Sequence, residues 1–185
     1  MSACDASSRT EPGQRDRYDN RTIVVHWIST LLVLLAFVLG LTIDSFPKKY
    51  AFGALNIHAL FGLSILSISV FRIASRKPSG QCSSAPQITR LARFGHMALY
   101  LCLLGVPLIG IPALLFRGHG LDLGLFEVGP FFARNRQLAR ILTQTHLYAA
   151  YFFAILVMGH IMAVFYHTVI RKDGTFRKML PARRA

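Results

Sequence analysis

ILTQTHLYAAYFFAILVMGHIMAVFYHTVI, Ile141 through Ile170, decides the fold of this chain. The stretch holds no Asp, Glu, Lys or Arg. A bilayer core is crossed by about 20 apolar residues in helical form, so this block is long enough. Helix is the expected form because lipid offers no partner to an unpaired backbone N–H or C=O. A membrane strand would be shorter and would alternate in polarity, and this one does not. Within it, His146 and His160 lie fourteen residues apart. Fourteen helical steps return to within about 40° of the start and advance about 21 Å. Both imidazoles therefore face one way, one toward each leaflet. Ionisable side chains inside a membrane are functional candidates by default, because hydrocarbon penalises them.

Working outward, three more blocks qualify as spans: Thr22–Ile43, Ala51–Phe71 and Phe94–Phe116. The expected fold is therefore all-α, an integral membrane four-helix transmembrane bundle. The first block is longer than a signal-peptide core and no A-x-A-like site follows it, so it reads as a retained span. The segment before it is polar, with Pro12 and Gly13, and residues 1–17 are expected to be disordered. A four-span domain is expected over 18–181, followed by a basic tail at 182–185.

A net charge of +13 on 185 residues invites a nucleic-acid reading, but its distribution excludes one. Fifteen of the 21 Lys and Arg residues fall in the N-terminal segment, the second connection or the C-terminal tail. The remaining six are Lys48, Lys49, Arg117, Arg134, Arg136 and Arg140. The positive-inside rule then places both termini in the cytoplasm. Most of the excess charge thus sets topology.

Cys4, Cys82 and Cys102 are scattered, with no C-x-x-C and no C-x-x-C-H. No disulfide framework and no covalent haem attachment is implied. The histidines carry more. His26, His58, His146 and His160 lie well inside spans. Depth counted from each span's midpoint puts His26 about 10 Å and His160 about 7 Å on the cytoplasmic side of centre, a good match. His146, about 14 Å, and His58, about 5 Å, lie on the outer side and match less well. Any one of these could be a polar residue binding helix to helix. Four at paired depths favour metal ligation.

A metal-ion transporter usually adds carboxylates or thiolates, and these spans hold no Asp or Glu. Ligation by histidine alone suits haem, with both axial positions filled and electron exchange as the chemistry. His96 sits slightly too shallow to replace His26 and is expected to hydrogen-bond a propionate. His167 shares a face with His160 near the interface. Gly53, Gly62 and Gly159 flank these histidines, and either close helix packing or room for a macrocycle explains them. Pro107 and Pro112 should bend the third span or open its hydrogen bonding.

These residues resemble a family. RYDNRTIVVHWIS (17–29), NIHALFG (56–62), RLARFGHMALYL (90–101) and QTHLYAAYFFAILVMGHIMAVFYHTVIRKDGTFRKMLP (144–181) are similar to the four spans and tail of bacterial cytochrome b561 proteins. The resemblance implies a bundle with two haem b groups. His26 and His160 would hold the cytoplasmic-side iron, and His58 and His146 the outer one. It further implies a superoxide oxidase, taking electrons from superoxide on the outer side of the bacterial inner membrane and passing them to ubiquinone. Other relatives relay electrons as membrane-anchor subunits of a partner dehydrogenase or hydrogenase, and that reading stays open.

Superoxide is an anion, so a basic outer funnel would raise its capture rate. Arg134, Arg136 and Arg117 are the candidate guides. Contacts to lipid phosphates or haem propionates account for most such arginines, which leaves one or two as guides. On the cytoplasmic side Arg72 or Arg76 could neutralise a propionate or serve topology alone. The quinone site has no clear mark in the sequence.

Overall fold

The structure, a computed structural model, describes residues 19–74, 90–118, 120–122, 127–129 and 132–180. The expected disorder of 1–17, the tail at 182–185, and Cys4, Cys82, Arg76 and His119 lie outside the described residues.

Four long helices form the bundle: α1 (Asn20–Thr42), α2 (Lys48–Ala74), α3 (Arg90–Leu115) and α4 (Arg136–Phe165). All four are long and apolar enough to cross a membrane. They pack in chain order, α1 on α2, α2 on α3 and α3 on α4, with the last contact the most extensive. Phe37 of α1 meets Tyr151 of α4 edge to face at 6.4 Å, joining the first helix to the last. The α3–α4 connection carries a two-stranded antiparallel ladder, β1 (Leu121–Asp122) and β2 (Glu127–Val128), pairing Leu121 with Val128.

Burial follows from the solvent. The inward faces use small side chains such as Ala36, Ala54, Ala113 and Ala139, which let backbones approach. Large apolar residues stay on the outside: Tyr148 is 69% exposed and Ile155 68%, values that fit hydrocarbon rather than water. Buried Ser29 and Ser69 donate to the carbonyls of Val25 and Ile65 four residues back, so neither of these two hydroxyls is left unpaired in lipid. Pro107 and Pro112 lie inside α3, which nonetheless runs unbroken to Leu115.

At the end carrying both termini, α4 continues as a π-helical turn, Tyr166–Arg171, and stops at Lys172 in the left-handed conformation (φ 50°). Asp173 then folds back. Its carboxylate accepts from His167 Nδ1 at 2.5 Å and from the Thr175 hydroxyl at 2.6 Å. Beyond it, Trp27 of α1 donates its indole N–H to the Met179 carbonyl at 3.1 Å, so the C-terminal strap closes over α1. The Thr175 and His167 hydrogen bonds hold the Asp173 carboxyl well below the usual carboxylate range. A depressed carboxyl stabilises the fold above its unfolded value, about 3.9, and loses that contribution as pH falls through the folded value. The strap should therefore hold at neutral pH and loosen only in strong acid. Asp173→Asn should loosen it at every pH. Trp27 is the chain's one tryptophan, so its emission reads the release directly. An Asp173→Asn spectrum identical to wild type from neutral to acid pH would show that this carboxylate does not hold the strap.

Candidate functional site

Two histidine groups occupy opposite ends of the bundle interior. At the end away from the termini, His58 of α2 and His146 of α4 face each other. Their rings stand 5.9 Å apart by centroid and are perpendicular, at 89°. His58 Nδ1 donates to the Ala36 carbonyl of α1 at 2.9 Å. His146 Nδ1 donates to the Val106 carbonyl of α3, also at 2.9 Å. A carbonyl can only accept, so both protons sit on Nδ1 and both Nε2 atoms keep a free lone pair. Midpoint counting makes this pair look mismatched in depth. The rings meet because the helices are of unequal length: the fourth span runs 36 residues and the second 27, so their midpoints do not share a level.

At the termini end all four helices contribute. His160 of α4 and His96 of α3 have ring centroids 5.6 Å apart. His26 of α1 lies within electrostatic range of His160, Arg72 and His96. His96 Nδ1 donates to its own helix at the Ala92 carbonyl, 2.7 Å. The Arg72 guanidinium, in the last turn of α2, lies 5.6 Å from the centre of the Tyr100 ring. His26 also packs edge to face on Trp27. The sequence places His96 slightly too shallow for this group, whereas its ring packs edge to face on His160.

Above the far-end pair lies a cleft of about 310 Å³ lined by Arg117, Arg134, Arg136, Arg140, Thr143 and Gln144 around Ala139. Local structure assembles it. Asn135 caps α4, its side chain accepting from the Leu138 N–H at 3.0 Å. The Asn135 N–H donates to the Phe116 carbonyl at 3.0 Å, and Phe116 stacks near Phe132 at 5.1 Å. The end of α3 is thereby stitched to the start of α4. Gly118 turns at φ 79°, and a Cβ there would stand 3.1 Å from Arg134 Cβ. Arg117 Nη2 donates to Thr143 Oγ1 at 3.1 Å. Ala139, Thr143 and His146 share one face of α4, and Thr143 precedes His146 by about 4.5 Å of helix axis. The positive end of the α4 dipole adds to the guanidinium charge.

The family model for prokaryotic cytochrome b561 matches residues 17–182. This chain belongs to the prokaryotic cytochrome b561 family. A probable superoxide oxidase CybB of Yersinia pestis is 30% identical over 174 residues, 91% of this chain and 98% of that protein. Cytochrome b561 homolog 1 of Escherichia coli (strain K12) is 25% identical, covering 91% of this chain and 99% of its own length. Homolog 2 of the same organism is 29% identical over 89% and 92%. The chain is thus a membrane electron-transfer protein of a b-type haem family.

In this cytochrome b561 chain the arginines singled out from sequence, Arg117, Arg134 and Arg136, do come together, joined by Arg140. Arg72 joins the termini-end histidines. Two functional glycines carry no mark in the sequence. A Cβ at Gly53 or Gly159 would meet nothing within 4 Å, and at Gly62 only Pro107 Cβ at 3.9 Å. The glycines against which imidazoles rest are Gly40 and Gly110. Their place, four residues after the accepting carbonyls of Ala36 and Val106, is a signal visible only once the helices are paired.

Proposed function

We propose that this protein is a di-haem superoxide oxidase of the bacterial inner membrane that passes electrons from superoxide to ubiquinone. The observation that carries the reading is the four-arginine cleft one helical turn above the His58–His146 pair. A relative named as a probable superoxide oxidase supports it.

The donor chemistry fits haem at the far end. Each Nε2 is free, and each ring is held by a backbone acceptor. The two rings stand 5.9 Å apart by centroid, so their free Nε2 atoms could serve one metal between α2 and α4. His58 and His146 would hold the outer haem. His26 and His160 would hold the second, with His96 and Arg72 placed to meet propionates. Haem, when bound, would supply one-electron carriers at these two sites.

The chain's own residues do the rest. Arg117, Arg134, Arg136 and Arg140 lower the energy of an approaching anion and concentrate it at the cleft. Each superoxide gives up one electron and leaves as dioxygen. Two electrons and two protons convert ubiquinone to ubiquinol, so two superoxide ions are consumed per quinone. The charge asymmetry of the connections supports an orientation with both termini in the cytoplasm and the cleft outside.

The test is an absorption spectrum of the oxidised protein before and after a superoxide pulse, with a superoxide dismutase control. Reduced b-type bands that appear at once and vanish on adding ubiquinone are expected. Bands that dithionite raises but superoxide does not would replace this reading with that of a relay subunit. Protein free of haem despite haem supply would return the histidines to a transport role.

A further inference from the structure

We propose that Gly40 and Gly110 are positioning residues of the outer haem site: each uncovers a backbone carbonyl that fixes one axial imidazole. The inference rests on the haem reading above and assigns work to residues that carry no functional group.

In an α-helix the Cα–Cβ bond leans toward the N-terminus, so the side chain at i+4 overhangs the carbonyl of residue i. Ala36 and Gly40 stand in that relation on α1, and Val106 and Gly110 stand in it on α3. Each carbonyl accepts the Nδ1 proton of a histidine on the next helix, His58 or His146. A Cβ at Gly40 would lie 2.9 Å from His58 Cε1 and 3.2 Å from Nδ1. At Gly110 it would lie 2.8 Å from His146 Cε1 and 2.9 Å from Nδ1. Carbon atoms in contact rest at about 3.5–4.0 Å, so the flat ring would have to move. It cannot move far without breaking the Nδ1 bond that aims Nε2.

The arrangement occurs twice, on α1–α2 and on α3–α4, with the same four-residue offset. Elsewhere in the spans a Cβ is harmless: Gly53, Gly95, Gly105 and Gly159 have nothing within 4 Å. Within the described spans the close approach is therefore confined to the two glycines beneath imidazoles. Partners that orient a metal-binding histidine also raise its basicity, and their loss costs about 10–100-fold in affinity. Gly40 and Gly110 should act on outer haem retention and potential, with no direct effect on the inner haem.

The test uses the full-length protein made with haem in excess. Gly40→Ala and Gly110→Ala are compared with Gly105→Ala, in which alanine, the better helix former, enters open space. Haem-to-protein ratio, low-spin electron paramagnetic resonance and potentiometric titration are read. The first two variants should weaken retention of the outer haem on the order of 10–100-fold, or shift its resonance and potential. Gly105→Ala should match wild type. A double-mutant cycle completes the assignment. Gly110→Ala added to His146→Ala, and Gly40→Ala added to His58→Ala, should leave the thermal midpoint unchanged, because the ring that would be struck is gone. Wild-type ratios, resonances and potentials in both single variants would overturn the proposal. So would double variants in which the added alanine lowers the thermal midpoint as much as it does alone. Should either single variant fail to accumulate, each double variant compared with its histidine variant still decides, and a lower thermal midpoint in the double variant would overturn the proposal. A wild-type protein lacking the outer haem would instead defeat the haem reading, while the cycle would still report the contact between ring and glycine.

Discussion

His160→Ala is expected to halve the haem content of the purified protein and to leave the outer haem's spectrum intact. The two histidines of α4 are fourteen residues apart, about 21 Å along the helix, so a change at one end should not reach the other. The outer pair is held by its own carbonyls, Ala36 on α1 and Val106 on α3, each about 15 Å along its helix from His26 or His96. At the termini end, by contrast, His26, His96 and His160 lie together, and the His96 ring stands 5.6 Å from that of His160. The proposed function takes His26 as the second ligand, and the variants separate the two roles. His26→Ala should reproduce the loss seen with His160→Ala. His96→Ala should keep both haems and shift the potential of one, since burial and hydrogen bonding around a haem tune it without setting its stoichiometry. Haem quantification and redox titration read all three. Retention of both haems by His160→Ala would defeat the assignment of this residue. Loss of a haem in His96→Ala with retention in His26→Ala would transfer the ligand role to His96.

These variants also show what the amino-acid sequence could and could not say. The spans were legible because lipid imposes one requirement, long apolar runs that satisfy their own backbone, and Ile141–Ile170 meets it without ambiguity. Span ends were less legible. α4 begins at Arg136, five residues before the apolar run, because Asn135 supplies a cap and the arginines tolerate the first turn at the membrane surface. The depth match of His58 with His146 was obscured for a related reason, since helices of unequal length are not centred on one plane. Arg134 and Arg136 could be picked out by charge and position. Arg140 belongs beside Arg136 because it lies on the same helix one turn later, a relation that holds only if the helix starts early. The glycines were beyond reach of a one-dimensional reading. The feature that distinguishes Gly40 from Gly53 is the histidine of another helix, and nothing near either residue in the chain announces it.

Arg134→Glu with Arg136→Glu should slow the reaction with superoxide on the order of 10–100-fold at low ionic strength and leave both haems bound. The two side chains line the cleft, and reversing them replaces attraction by repulsion where the anion must enter. Haem binding should survive, because His146 is positioned by Val106 and not by the arginines. The salt dependence carries the stronger test. At 0.1 M ionic strength the screening length is about 10 Å, so a steered reaction slows as salt rises. In the variant the slope should flatten or change sign, and the two proteins should converge at high salt. Bulk charge and local focusing are then told apart by Lys48→Glu with Lys49→Glu, which alters net charge equally but lies outside the cleft lining. If that control slows the reaction as much as the arginine pair does, the effect belongs to the whole electropositive end. If only the arginine pair acts, the cleft is the entrance, and Arg117, held by Thr143 one turn above His146, marks where it meets the haem site.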